Sequence, residues 1–245
     1  MKVSVITVCY NAVSTIEASM RSLLNQDYEN VEYLVIDGGS TDGTVDVIKR
    51  YLPQIAYFVS EPDLGMYDAI NKGIAAASGE VIGLLHANDC LASPAVISTV
   101  VKTLNATKAD AVYANLNFYA QNGRLIRKWT SKTCSRLLLE TGWMPPHPTV
   151  YIRKNIFCRY GNYRLDFHTA ADYELILRFF YRHKIKTAYV NRLFVKMLTG
   201  GISNKSIFNH VTGNINDLKA MKMHGLHAPF IAAFLKPVQK LIQYF

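Results

Sequence analysis

One pattern constrains this chain more than any other. Over the first 110 residues, short β-branched runs alternate with stretches of helical periodicity. Residues 3–8 read as a buried strand. Ser14 and Glu17 have capping-box spacing, which would satisfy free backbone donors at a helix start. Ile16, Met20, Leu23 and Leu24 then share one helical face. Residues 31–36 predict a second strand, and Thr41 or Asp42 caps a helix carrying Val45, Ile48 and Leu52. Residues 55–59 and 81–85 are the third and fourth strands, with a helix over 67–77 between them. Pro94 opens a helix through Leu104, and 111–118 is a fifth strand. Such alternation implies an α/β chain with right-handed βαβ units and a mostly parallel, Rossmann-like central sheet flanked by helices. Ligands of such sheets bind beyond the carboxyl ends of the strands. Segments 9–11, 37–42 and 86–89 sit at those ends.

After residue 118 the pattern loosens. Asn122-Gly123 signals a hairpin turn, and Pro145, Pro146 and Pro148 stiffen a loop. A helix over 172–183 carries Leu175, Ile176, Phe179 and Phe180 on its apolar side. Gly200-Gly201 marks a loop, and helices follow near 206–223 and 229–244. No internal repeat, low-complexity tract or clear linker interrupts the chain.

Composition excludes several classes. Half of the 245 residues are hydrophobic and 18% are charged, so the chain is not disordered. No apolar run approaches the roughly 18–20 residues of a membrane span. Cys9, Cys90, Cys134 and Cys158 lie far apart without metal-ligand or CxxC spacing, as reduced, mostly buried thiols would. The segment after Lys2 lacks a small-residue cleavage site and alternates like a strand, so the expected location is the cytoplasm. Charge is uneven. Residues 1–110 carry 7 basic and 13 acidic side chains, net −6, and residues 111–245 carry 20 and 5, net +15. The basic half has no zinc-finger spacing, RNP-like strand or dense Lys/Arg run, so nucleic acid is not the expected partner.

Four constellations carry candidate chemistry. The stretch 37–43 lacks GxGxxG spacing, and Thr44 stands where a P-loop needs Lys. Asp37 is placed either to accept hydrogen bonds from a base or ribose, or to organise a turn capped by Asp42. Asp89, after the fourth strand, either holds a hard divalent cation completed by phosphate oxygens and water, or caps the next helix. His86 is a further candidate ligand there. Segment 61–73 gathers polar residues around a helix start, where Lys72 adds charge and Asp68 and Asn71 share a face. The alternative is a solvated helix end. Asp172 opens an apolar helix, either as an N-cap worth about 1 kcal/mol or as a general base.

Together these residues resemble a known family. Residues 3–11 (VSVITVCYN), 36–43 (IDGGSTDG), 61–73 (EPDLGMYDAINKG) and 79–89, ending His86-Ala87-Asn88-Asp89, match the opening of family 2 glycosyltransferases with a GT-A fold. Pro146-His147-Pro148-Thr149, Ala171-Asp172-Tyr173-Glu174-Leu175, Arg178 and Gly200-Gly201-Ile202-Ser203 continue the likeness to about residue 205. It is most similar to bacterial surface-polysaccharide enzymes of the colanic-acid type.

The resemblance implies a GT-A unit over 1–205, with a donor half 1–110, an acceptor half 111–205 and a helical extension 206–245 packed on it. It implies that Val8, Cys9 and Tyr10 line a nucleobase pocket and that Asp37 binds base or ribose. Asp68, Asn71, Lys72, His86 and Asn88 would lie on the nucleotide-sugar side. Asp89 would hold Mg²⁺ or Mn²⁺ against the donor diphosphate, and Asp172 would be the catalytic base of an inverting transfer. His147, Gly200, Gly201 and Ser203 would lie on the acceptor or diphosphate side. The acceptor would be a lipid-linked bacterial glycan.

The chain departs from the family at three places. Asp37-Gly38 replaces two acids, residues 86–89 hold one carboxylate where DxDD is usual, and Ala171 replaces an acid before the base.

The last helix has an apolar stripe of Phe230, Ile231, Phe234, Leu235, Val238, Leu241, Ile242 and Phe245, with Lys236, Gln239, Lys240 and Gln243 off it. That stripe is either a core face, kinked at Pro237, or an interfacial face at the inner side of the cytoplasmic membrane. Two rival functions stay open from the residues: a metal-dependent nucleotidyltransferase, and a non-catalytic protein binding nucleotides or anionic polymers.

Overall fold

The computed structural model describes residues 1–199, 207–241 and 243, without the side chains of 207–212, 240 and 241. Strand β1 (Val3–Cys9), helix α1 (Ile16–Leu24), β2 (Val31–Asp37), α2 (Thr44–Lys49), β3 (Tyr57–Ser60), α3 (Met66–Ala76) and β4 (Val81–Leu84) follow the expected alternation. Then come β5 (Asp89–Leu91), α4 (Val96–Thr107), β6 (Ala111–Tyr119), β7 (Leu125–Trp129), α5 (Arg136–Glu140), β8 (Tyr151–Arg153) and α6 (Lys154–Tyr160). Helix α7 (Ala171–Ile176) runs on through a π-helical turn, Leu177–Arg182. Strand β9 (Thr187–Leu198) and helices α8 (Ile207–Met223) and α9 (Pro229–Leu241) complete the described chain.

The strands form one sheet in the order β3-β2-β1-β4-β8-β6-β9-β5, with β7 paired to β6. β3, β2, β1 and β4 are parallel, as the βαβ pattern requires. The other half is mixed. β8 runs antiparallel to both β4 and β6, β9 runs parallel to β6, and β5 runs antiparallel to β9. The Asn122-Gly123 turn joins β6 to β7, and a tight turn can connect only antiparallel neighbours.

Strand pleating assigns side chains to the two faces. In β1, Ile6 and Val8 enter the core that includes α3 and α7, while Val3, Val5 and Cys9 enter the core under α1 and α4. Helix α3 lies close on β1 because Gly73 has no Cβ: one there would meet Ile6 Cγ2 at 2.5 Å.

Four helix starts and ends differ from the sequence reading; at α2 the N-cap is Gly43, with φ +95°, rather than Thr41 or Asp42. Thr15, not Ser14, is the N-cap of α1, and it makes no side-chain cap bond. Glu17 instead accepts from Arg21 at 2.9 Å, Arg50 at 3.2 Å and the Tyr51 hydroxyl at 2.6 Å. These charge-assisted bonds are stronger than one amide bond. Leu52 lies beyond α2 in a short 3₁₀ turn and is exposed. Pro94 precedes the N-cap Ala95 of α4, and its carbonyl accepts from Asp27 N at 2.9 Å.

A buried ionic network fixes the second half. Glu174 is fully buried between Arg178, at 3.0 Å, and His224, at 3.0 Å, just past α8. Arg178 also donates to the carbonyls of Tyr160 (2.5 Å) and Asn162 (2.7 Å). Arg178, part of the family likeness, is thus a structural cation that ties α7 to the chain before it.

Candidate active site at the carboxyl edge of the sheet

Because β2, β1 and β4 are adjacent and parallel, their carboxyl ends deliver residues 37–42, 10–13 and 86–89 to one edge. The first two loops are laced together. Asn11 N donates to Ser40 Oγ at 2.8 Å, Thr41 N to Asn11 Oδ1 at 3.0 Å and Val13 N to Asp42 Oδ2 at 3.1 Å. Asp42 also accepts from Thr44 N at 3.0 Å, which turns the chain into α2.

Asp37 is fully buried and saturated by its own chain. It accepts from Gly39 N (3.1 Å), Ser40 N (2.9 Å), Ser40 Oγ (2.5 Å) and Ser60 Oγ (2.6 Å). Burial pushes its carboxyl up, but the Ser40 and Ser60 hydroxyls outweigh it and hold the pKa below the ordinary value. Here the structure corrects the ligand reading: Asp37 holds the turn, with no oxygen left open to a base or ribose.

Val8 and Cys9 are buried in opposite cores, so only their backbone borders the edge. Burial, then the Asp37 carboxylate, pushes the Cys9 thiol up and keeps it protonated. Tyr10 is the exposed member of the three.

Beside Tyr10 the structure brings in Asp63, which the sequence reading quoted but did not single out. A Cβ on Gly38 would meet Asp63 Oδ2 at 2.6 Å and Tyr10 Cδ2 at 3.5 Å. Gly38, where the family carries a second acid, thus leaves room for the Asp63 carboxylate beside the Tyr10 ring. Asp63 Oδ1 takes Gly65 N at 2.8 Å, at the entrance to α3. The signal was present in the Glu61-Pro62-Asp63 string. What the string hides is that the chain folds back over Gly38.

On α3, Asp68 accepts from Leu64 N at 3.1 Å, and Lys72 pairs with Glu61 at 2.8 Å and Asp68 at 3.6 Å. The Lys72 charge is therefore balanced by two carboxylates. Asn71 is filled on both sides by the Tyr163 backbone: its amide donates at 2.8 Å and its carbonyl accepts at 3.0 Å. It clamps the two halves of the chain, with both ends of its amide engaged by the Tyr163 backbone.

The turn after β4 is tight, with Asp89 N donating to His86 O at 2.9 Å. Asn88 Oδ1 accepts from Thr15 Oγ1 at 2.8 Å, which ties this turn to α1. Asp89 is buried, and its Oδ2 has no hydrogen-bond partner. Burial alone pushes its carboxyl up to about 8. An orphaned carboxylate oxygen is what a single-acid cation site needs. No group of three or more His, Cys, Asp or Glu assembles as a metal site among the described residues. The donor set at Asp89 thus fits a hard cation that takes its other ligands from phosphate and water.

β8 runs antiparallel to β4, so Pro146 and His147 before it come back to the same edge. The His86 and His147 rings are 5.4 Å apart. Burial, then His147, pulls His86 down to about 3, and burial pulls His147 down to about 4. Both rings are neutral near pH 7. Both His86 nitrogens and His147 Nε2 are buried without a partner. His147 Nδ1 lies 3.8 Å from Asp172 Oδ2.

Asp172 sits in the first turn of α7 with its side chain 24% exposed, whereas Tyr173 and Glu174 beside it are fully buried. Its Oδ1 accepts from Tyr173 N at 2.7 Å. Tyr67, stacked on Tyr163 at 5.4 Å, has its phenol pushed well up by burial and then by the Asp172 charge. Tyr67 and Tyr163 thus lie beside Asp172. Tyr67 lies in the EPDLGMYDAINKG string, while nothing local marks Tyr163. Gly200, Gly201 and Ser203 lie outside the described residues. The described chain before them reaches the edge, with Leu198 N donating to Asn88 O at 3.0 Å.

Comparison with known proteins bears on this arrangement. The model of the family Glycosyl transferase family 2 matches residues 4–165. The chain belongs to that family. It is thus a glycosyltransferase, which removes the nucleotidyltransferase and pure binding readings. It is 34% identical over 177 residues to an uncharacterised glycosyltransferase of Mycobacterium tuberculosis, covering 72% of this chain and 68% of that one. It is 27% identical over 207 residues to a PGL/p-HBAD biosynthesis glycosyltransferase of Mycobacterium bovis, covering 82% and 78%. The fold is GT-A. S. aureus TarS 1–349, solved in complex with UDP-GlcNAc, superposes with a TM-score of 0.69 at 16% identity, over 94% of this chain and 73% of that one. The mannosyltransferase PcManGT from Pyrobaculum calidifontis, solved with GDP-Man and Mn²⁺, gives 0.66 at 18%, over 96% and 69%.

Proposed function

We propose that this glycosyltransferase moves a sugar from a nucleoside-diphosphate donor, with inversion, to a hydroxyl of a lipid-linked surface glycan. The carrying observation is the contact chain from Asp172 through His147 to His86. It brings a carboxylate of the second half to the turn that bears Asp89. TarS and PcManGT were solved with nucleotide sugars, which supports the donor class.

Tyr10 and Asp63 bind the nucleobase, the ring by stacking and the carboxylate by accepting from a base N–H. Asp89 would hold Mg²⁺ or Mn²⁺ against the donor diphosphate through its carboxylate. When bound, that cation neutralises charge developing on the leaving group. Asp172 takes the acceptor hydroxyl proton. The freed oxygen pair attacks the anomeric carbon on the face opposite the diphosphate. The carbon–oxygen bond to the diphosphate breaks, and its electron pair leaves with the nucleoside diphosphate. The neutral His86 and His147 rings offer N–H donors to diphosphate oxygens and orient them. Both halves, 1–110 and 111–205, supply one site, and 206–245 packs on it. No helix among the described residues is long and apolar enough to cross a membrane. The expected location is the cytoplasmic face, where the lipid-linked acceptor is displayed.

A panel of UDP and GDP sugars with released nucleoside diphosphate as readout tests this, with the product anomer read by NMR. Release of pyrophosphate, or retention of configuration, would overturn it.

A further inference from the structure

Helix α9 is packed inside out. Its small and polar side faces the protein. Ala232 is fully buried, and Lys236, with its side chain 11% exposed, places Nζ 2.6 Å from Asp217 Oδ2 and 3.4 Å from the centre of the Tyr173 ring. Gln239 donates to the Thr141 carbonyl at 2.8 Å. The approach is close: Gly142 has φ +80°, and a Cβ there would sit 2.6 Å from the Ala232 carbonyl oxygen. These contacts fix the rotation of α9 about its axis. They turn Phe230 (66% exposed), Ile231 (61%), Phe234 (73%) and Val238 (41%) outward together. A core helix would show the reverse arrangement.

What surrounds this face indicates what covers it. Lys222 of α8 holds Nζ 4.6 Å over the Phe230 ring. Ile215, two turns earlier on the same α8 face, is also exposed. Segment 206–245 has four lysines and a single acid, Asp217, which is already paired with Lys236. Lys222 thus puts a positive charge at the edge of the apolar face, which belongs to the half with net +15. Four side chains at roughly 150–200 Å² each, partly covered, expose on the order of 400 Å². A stable protein interface needs about 800 Å² on each partner. A lipid surface needs neither that area nor a matching groove, because apolar side chains insert individually while lysines meet anionic headgroups.

We propose that the face of α9 formed by Phe230, Ile231, Phe234 and Val238 docks on an anionic lipid surface. This docking does not depend on the donor chemistry. Its consequence rests on the reading of Asp172 as base. Lys236 of α9 lies on Tyr173, the residue after Asp172, so a docked α9 holds the base-bearing helix next to the bilayer that carries the acceptor.

The test is flotation of the full chain with vesicles of phosphatidylcholine and phosphatidylglycerol, against phosphatidylcholine alone. The wild type should float with the anionic vesicles and bind neutral ones about tenfold more weakly. Phe230→Ser with Phe234→Ser should weaken anionic binding by roughly tenfold or more. An independent pair, Ile231→Ser with Val238→Ser, should weaken it as well. All four positions point outward, so thermal unfolding and the thermal shift on adding UDP sugars should match the wild type. Failure of the wild type to float, or undiminished flotation of both pairs, would overturn the proposal. So would a dimer in light scattering that the same substitutions dissolve, because the face would then belong to a second copy. Flotation without turnover on any nucleotide sugar would sink the catalytic reading and leave the docking intact.

Discussion

At the scale of single residues, Asp172 differs from the acids around it by exposure. Asp37 and Glu174 are fully buried, whereas the Asp172 side chain is 24% exposed. Asp172→Asn should keep the shape and lose the proton acceptor. Turnover should fall by about 10²–10⁴-fold while donor affinity, read by calorimetry, stays within a factor of about two. Gly38→Ala should act on the donor side. The added methyl displaces the Asp63 carboxylate, so donor affinity should fall by about tenfold with little change in turnover at saturation. Unchanged affinity would remove Asp63 from the base pocket. Glu32 gives a pH prediction away from the site. Burial alone would raise its carboxyl, but Lys2, Ser4 and Ser78 hold it down at about 2. A depressed acid contributes stability that is complete above its ordinary value near 4.5 and is lost as pH falls toward 2. The stability difference between the wild type and Glu32→Gln should therefore be largest above pH 4.5 and shrink below it, in urea melts across that range.

At the scale of elements, periodicity located what sequence-local forces decide. β1, β2, α3 and β4 appear within a residue or two of their expected bounds, because the strands are short apolar runs buried on both faces, α3 has one apolar face, and turns bound each of them. The capping box at Ser14 was not borne out. Its Glu17 has distant partners, Arg50 and Tyr51, which no local pattern can display. The packing of α3 on β1 is testable through Gly73. Gly73→Ala gains helix propensity but drives a methyl into Ile6, and overpacking should win by about 1–3 kcal/mol in chemical denaturation. The Glu174 network is a second test at this scale. Glu174→Ala leaves Arg178 and His224 buried without their carboxylate, and should cost about 3–5 kcal/mol. A smaller loss would mean that water enters to solvate Arg178.

At the scale of the whole molecule, a bound donor should stabilise the native state by linkage. At about 100 times its dissociation constant, a nucleotide sugar should add roughly 2.7 kcal/mol, seen as a rise in melting temperature in a thermal-shift screen. The division into an acidic front, net −6, and a basic rear, net +15, does not separate two bodies. Asn71 clamps Tyr163, β8 lies between β4 and β6, and His147 reaches Asp172. The sequence by itself determined the α/β class, the parallel half of the sheet, the edge at which the candidate residues gather, and the candidate acids Asp89 and Asp172. It could do so because hydrophobic period and turn chemistry act over a few residues. Tertiary structure decided which acids remain available. It filled Asp37 with the Ser40 and Ser60 hydroxyls, orphaned an oxygen of Asp89, placed Asp63 beside Tyr10, and turned the apolar side of α9 outward. Those outcomes depend on burial and on partners far along the chain, and a side chain's exposure is set by what packs against it rather than by its neighbours in sequence.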